Sequence, residues 1–192
     1  MTKVALFFGS FDPVHQGHTN IATCALEQKL VQNVWFVLSP QSPAKVRQNY
    51  TDVAKRFKML AYALRNQAYM RVEDIETKLQ PPYYSVNTLS ILRRRHTDIR
   101  FYLLMGEDNW LALPTWKSYD SVLRHMPCLV YARPSSLMPS VPISKQPPIH
   151  VKGPLCNISA SDIRQRIKEN KDCAACLDNK VWQYIQDERL YK

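Results

Sequence analysis

Residues 3–20 read Lys3-Val4-Ala5-Leu6-Phe7-Phe8-Gly9-Ser10-Phe11-Asp12-Pro13-Val14-His15-Gln16-Gly17-His18-Thr19-Asn20. An apolar run without charge after Lys3 breaks at Gly9, crosses Asp12-Pro13 and passes into a helical pattern carrying His15 and His18. The continuous apolar character of Val4–Phe8 is that of a strand covered on both faces, as in a parallel sheet. In an open α/β sheet the C-terminal end of such a strand is where ligands bind. Gly9 admits close approach of backbone to a ligand, and the unpaired N–H groups at the following helix start favour an anion, a phosphate above all. His15 and His18 share a helical face, so both imidazoles can reach one polyphosphate. Gly17 between them leaves room for a flat base or a ribose. The plainer alternative is a β-α turn bearing surface histidines. A two-histidine metal site is weaker, because no further Cys or His ligand is spaced nearby.

Composition bounds the rest. The 192 residues suit one domain, taken as residues 1–192, with a proper core. Hydrophobic residues make up 45%, ordinary for a globular protein, and no run approaches the ~20 residues of a membrane span. With no secretory pattern at Met1 onward, the expected location is the cytoplasm, away from membranes. A net charge of +10 suits nucleic acid, an anionic membrane or phosphorylated small molecules without choosing among them. The densest basic run, Arg93-Arg94-Arg95-His96, closes a helical pattern, where cations offset the negative helix end, so no nucleic-acid partner is expected. Five cysteines without a secretion signal argue for free thiols. Cys173-x-x-Cys176 lacks the second pair that a metal site would need.

Further along, Ile21–Leu30 continues the first helix, and Val34–Leu38 reads as a second buried strand. Strand, helix, strand at this separation is a right-handed βαβ unit with parallel strands. The loop Ser39-Pro40-Gln41-Ser42-Pro43-Ala44-Lys45 brings a cation, Lys45, to the same sheet edge. Thr51-Asp52 caps a helix over Val53–Leu64 with Phe57, Leu60, Ala61 and Leu64 towards the core, and Arg56 is either solvated or a ligand contact. Met70–Val72 is a short strand. Pro81-Pro82 excludes helix before Tyr83, and Ser85 caps a helix over Val86–Leu92. Ile99–Met105 is the third strong strand, closed by Gly106-Glu107-Asp108, with Trp116 eight residues past Asp108. Cys128–Ala132 and Ile149–Val151 are further strands, and Arg133 ends the first of them. The proline-rich stretch Pro134–Pro148 reads as a long loop, a lid or an oligomer contact. Ser159 or Ser161 caps a helix whose first turn carries Asp162, with Ile163 and Ile167 on one face and Arg164 and Lys168 on another. Val181–Tyr191 reads as helical packing. The architecture expected is α/β, a Rossmann-like doubly wound parallel sheet with helices on both faces, in a single domain.

The opening stretch resembles the Gly-x-Phe-Asp-Pro-x-His-x-Gly-His signature of the nucleotidyltransferase superfamily related to class I aminoacyl-tRNA synthetases. Asn157-Ile158-Ser159-Ala160-Ser161-Asp162-Ile163-Arg164 resembles that superfamily's Ile-Ser-x-Ser/Thr-x-Ile-Arg. The resemblance implies that ATP is held by Gly9, Ser10, Phe11, His15, Gly17 and His18 on one side and by Ile158, Ser159, Ser161 and Arg164 on the other. His15, His18 and Arg164 would be the catalytic group. Between these ends, Tyr84-Ser85-Val86-Asn87-Thr88-Leu89, Gly106-x-Asp108 and Trp116 look like the mononucleotide pocket of bacterial nicotinate-nucleotide adenylyltransferases. That implies binding of nicotinate mononucleotide by Asp12, Lys45, Tyr84, Ser85, Gly106, Asp108, Trp116 and Arg133, with the indole stacked on the pyridine. Ala44 departs from the family's usual Pro-His-Lys, so only Lys45 carries over.

The reaction so implied is attack of the mononucleotide phosphate on the α-phosphorus of ATP, giving nicotinate adenine dinucleotide and pyrophosphate. A phosphate monoester is largely a dianion at neutral pH, so no general base is needed. In-line positioning and charge neutralisation are the requirements, with His15, His18, Lys45 and Arg164 expected to supply positive potential. Mg²⁺ is the expected cofactor, held through substrate phosphates and water with no protein ligand. ATP and nicotinate mononucleotide are the expected partners, with room left for a homo-oligomer. The alternatives are a pantetheine-phosphate adenylyltransferase or a non-catalytic nucleotide- or RNA-binding module of the same fold.

Overall fold

Side chains of the first strand alternate between two separate cores: Ala5 and Phe7 enter one, Val4 and Leu6 the other. That is the signature of a sheet buried on both faces. The computed structural model describes residues 1–41, 49–131, 147–154 and 158–192. Among them run strands β1 (Thr2–Gly9), β2 (Asn33–Leu38), β3 (Met70–Glu73), β4 (Ile99–Gly106), β5 (Cys128–Tyr131) and β6 (Ile149–Val151). They form one six-stranded sheet in the order β3-β2-β1-β4-β5-β6, and every neighbouring pair is parallel.

Helices α1 (Gln16–Glu27), α2 (Val53–Leu64), α6 (Ala160–Lys168) and α7 (Asn179–Asp187) pack on the face that carries Phe7, Phe36 and Leu104. On the opposite face, α3 (Ser85–Arg95), α4 (Glu107–Ala112) and α5 (Tyr119–His125) cover Leu6, Trp35 and Leu103. The strand order reverses direction between β1 and β4, and such a switch point opens a crevice at the strands' C-terminal ends. The β1–β4 register pairs Phe7 with Leu104, so continuing it by two residues sets Gly9 opposite Gly106 at that crevice.

The doubly wound parallel sheet stands as expected, and several local expectations shift. The first helix stops at Glu27 rather than Leu30, with Lys29 turned left-handed at φ 55°. Helix α2 has the expected bounds, but Phe57 is 39% exposed and Arg56 only 2%. Ranking by hydrophobicity turns an arginine outward; here its guanidinium meets four backbone carbonyls, and that sets the helix rotation. Asp52 caps this helix through Ala54 N and Lys55 N. Ser85 is the first residue of α3, not its cap; Tyr84 holds the cap position and makes no side-chain cap bond. Ser159, not Ser161, caps α6. Arg93, Arg94 and Arg95 sit exposed in the last turn of α3.

Candidate active site

The turn between β1 and α1 is held in an uncommon shape by its own aromatic residue. Phe11 takes a left-handed φ of 46°, folds back over Gly9 and is buried to 1%. A Cβ on Gly9 would lie 2.9 Å from the Phe11 ring, so the glycine is demanded by packing within the turn as well as by any ligand outside it. A bulky residue at positive φ costs on the order of 1 kcal/mol and persists only where its surroundings require it. Those surroundings are Phe7 and Phe36, with ring centroids 5.8 Å and 5.4 Å from Phe11.

The same aromatic surface seats His18, whose ring lies 5.1 Å from Phe11 and 5.9 Å from Phe7. His15 is the N-cap of α1, and its imidazole stacks on His18 with centroids 3.8 Å apart. Gly17 N donates to His15 Nδ1 at 3.1 Å, and His15 N donates to His18 Nδ1 at 3.2 Å. Both Nδ1 atoms are therefore acceptors, so in each neutral ring the proton sits on Nε2. Burial lowers the His15 pKa to about 4. Burial, then the neighbouring His15, pushes His18 well below the usual histidine range. At pH 7 the pair thus offers two N–H donors, so the positive potential expected of it comes from neutral rings.

Arg164, half-buried on α6, donates from Nη1 to the backbone oxygen of Asp12 at 2.6 Å. This bond joins segments 152 residues apart and brings the start of α6 against the opening turn. At that helix start, Ser159 Oγ accepts from Asp162 N at 3.1 Å and lies 2.8 Å from Ser161 Oγ. It also donates to Asp162 Oδ2 at 2.7 Å. Ile158 packs half-buried against the first core.

Three polar side chains outside the two end motifs brace the site. Arg56 donates through Nε to Thr51 O (2.7 Å), through Nη1 to Ser10 O (2.9 Å) and Ser39 O (2.8 Å), and through Nη2 to Pro40 O (2.7 Å). It thereby ties together the loops after β1 and β2. Glu76, fully buried, accepts from Ser39 Oγ at 2.6 Å and Thr88 Oγ1 at 2.7 Å. Its carboxyl is pushed up by burial, with the two hydroxyl bonds opposing, and it anchors the first turns of α3 to the end of β2. Tyr191 donates to Asp12 Oδ1 at 2.6 Å. The sequence leaves Arg56 as solvated or a ligand contact and Tyr191 as packing; the bracing role of all three comes from long-range bonds that no local spacing marks.

The remaining expected residues lie along the same sheet edge. Tyr84 and Ser85 are half-buried at the start of α3. Gly106 ends β4 with φ −74°, a value open to any residue, and an added Cβ would meet nothing within 4 Å. No neighbour and no backbone angle demands glycine there, so the open space beside it is what a larger residue would take. Asp108 is exposed in the first turn of α4, and Trp116 follows a short turn beyond α4, half-buried against the second core. Asp12 is 1% exposed, its Oδ2 accepting from Thr51 N at 3.0 Å and its Oδ1 from Tyr191. Lys45, Arg133, Asn157 and residues 134–146 of the proline-rich stretch lie outside the described residues. Among the described residues no group of three or more His, Cys, Asp or Glu is placed to hold a metal ion, and four cysteines are free. No helix among them is long and apolar enough to cross a membrane.

Comparison with known proteins bears on this geometry. A family model described as cytidylyltransferase-like matches residues 6–166, from within β1 to within α6. A relative from Flavobacterium johnsoniae, named "Probable nicotinate-nucleotide adenylyltransferase", is 36% identical over 99% of each chain. One of the same name from Flavobacterium psychrophilum is 35% identical over 99% of each. The structure of Plasmodium falciparum nicotinic acid mononucleotide adenylyltransferase complexed with NaAD superposes with a TM-score of 0.83. At 17% identity, over 100% of this chain and 98% of that one, it is a likeness of fold.

Proposed function

The chain belongs to the cytidylyltransferase-like family and, within it, to the nicotinate-nucleotide adenylyltransferases; from that membership we propose a division of labour among the residues of the crevice. The enzyme transfers the adenylyl group of ATP to nicotinate mononucleotide, giving nicotinate adenine dinucleotide and pyrophosphate in NAD biosynthesis.

In this reading the mononucleotide phosphate attacks the α-phosphorus and pyrophosphate leaves. The Nε2–H groups of His15 and His18 donate to phosphate oxygens where charge builds up, and the N-terminus of α1 adds its dipole. Arg164 supplies the formal positive charge from the opposite wall, beside the Ser159–Ser161 helix start. Gly9, Ser10, Phe11, Gly17 and Ile158 shape the ATP side. Gly106, Asp108, Tyr84, Ser85 and Trp116 receive the mononucleotide, and Asp12 sits beneath both. Lys45 and Arg133 are assigned to the same pocket on resemblance alone. The donor set is histidine, hydroxyl and backbone amide, which suits Mg²⁺ held through phosphates and water rather than in a protein cage. When bound, that ion would neutralise phosphate charge. We also propose a cytoplasmic location, in keeping with small water-soluble substrates.

The observation that supports the reading is the Arg164–Asp12 bond, which brings the two motifs into contact. His18→Ala should reduce kcat for pyrophosphate release with ATP, Mg²⁺ and nicotinate mononucleotide by about 10²–10³-fold, the cost typical of losing one such donor. The folded CD spectrum should be kept. Near-parental kcat in that variant, or faster turnover with a pantetheine phosphate acceptor, would remove the assignment of this cleft.

A further inference from the structure

We propose that Tyr191 is a positioning residue for adenylyl transfer, latching the phosphate-binding turn from below through Asp12. The proposal rests on the cleft reading just given. After α7 ends at Asp187, Arg189 and Tyr191 both adopt left-handed backbone, at φ 50° and 67°. Non-glycine residues at such angles are uncommon, and two within three positions turn the segment sharply back on the sheet edge. Leu190, between them, is buried to 8% and its N–H donates to Ile185 O, so the reversal is pinned at both sides. Its product is the 2.6 Å bond from the Tyr191 phenol to Asp12 Oδ1, across 179 residues of sequence. The phenol also lies 3.9 Å from Met59 Sδ, inside the first core layer.

Asp12 is the hinge point of the turn. Its backbone oxygen takes Arg164, its Oδ2 takes Thr51 N, and its Oδ1 takes Tyr191. Three residues later comes His15, the cap of α1. With a partner on each carboxylate oxygen and on the backbone oxygen, the residue is fixed in one orientation, and with it the turn that leads to His15. Without the phenol, one oxygen of a buried carboxylate lacks a donor. Arg164 already bonds the backbone oxygen of the same residue, so a carboxylate freed from the phenol would compete for the charge the phosphates need.

Tyr191→Phe keeps the ring and its packing and removes the hydroxyl, with its bond to Asp12 and its contact with the Thr51 side chain. With both substrates saturating, it should lower kcat about 10- to 100-fold, the scale on which a small misalignment acts. KM for each substrate should change less than about threefold. Folded fraction by CD at the assay temperature should be unchanged. Combined with Asp12→Asn, the double variant should lose no more than about twofold beyond the worse single variant, because both act on one contact. A kcat within twofold of the parent, a loss matched by loss of folded protein, or multiplicative losses in the double variant would each overturn the latch. His18→Ala, assayed alongside, separates the two readings: if it alone abolishes turnover only the latch fails, and if it leaves turnover intact the cleft itself is misassigned.

Discussion

A histidine whose Nδ1 accepts a backbone N–H has only Nε2 left to donate, and this chain imposes that state on two adjacent rings. Position and tautomer are thus set before any substrate arrives, which is what electrostatic preorganisation requires. The arrangement has a cost in acid. His15 titrates near 6.5 when unfolded and at about 4 when folded, so the unfolded chain takes up the proton first as pH falls. Stability is full above about 6.5 and is lost progressively down to about 4, by on the order of 3 kcal/mol for His15 alone. His18, shifted the same way, adds to that loss. Urea unfolding at pH 7.5 and pH 5 should therefore show a drop of about 2 kcal/mol attributable to His15, absent in His15→Gln. An equal drop in parent and variant would show that the proton is taken up elsewhere. The pairing of the two rings was legible in their three-residue spacing. Their charge state was not, because it depends on Phe7, Phe11 and the backbone of the helix they begin.

Helix α2 shows how an element can be placed correctly and oriented wrongly. Its ends at Val53 and Leu64 follow from Asp52 as cap and from the apolar repeat, but its rotation is decided by Arg56. A guanidinium satisfied by four carbonyls from two loops cannot be read from residue order, since the direction of those carbonyls is a product of folding. Lysine keeps the charge but offers a compact ammonium in place of the planar fork. Arg56→Lys should therefore cost about 3 kcal/mol, the penalty for buried polar groups left unpaired, and lower Tm by roughly 6–12 °C. Because Ser10 O is one of the four acceptors, kcat should fall as well. A Tm within 2 °C of the parent would show that water replaces the missing donors. Helix α6 is the contrary case: its cap, first-turn acid and apolar face are all local, and Ser159, Asp162, Ile163 and Ile167 fall where the sequence places them.

At the scale of the whole molecule, β1, β2 and β4 and their parallel order were readable because strands buried on both faces advertise themselves as unbroken apolar runs. The edge strand β3 was readable with them, set between the acidic run and α2. What escaped the sequence are the contacts that cross it at long range: Glu76 joining β2 to α3, and Tyr191 reaching Asp12. Each rests on one or two polar atoms meeting partners far away in sequence, and neither leaves a periodic trace.

The placement of the four indoles makes the pocket visible to light. Trp35 and Trp110 are sealed in the second core, Trp182 lies with the helices of the other face, and Trp116 alone is assigned to the mononucleotide edge. A pyridine ring laid against Trp116 would quench its emission, so titration with nicotinate mononucleotide should dim the fluorescence excited at the red edge of the indole band. ATP by itself should leave that signal nearly unchanged, and Trp116→Phe should abolish the quenching while retaining the emission of the three remaining indoles. Quenching that survives the replacement would move the pyridine to another wall.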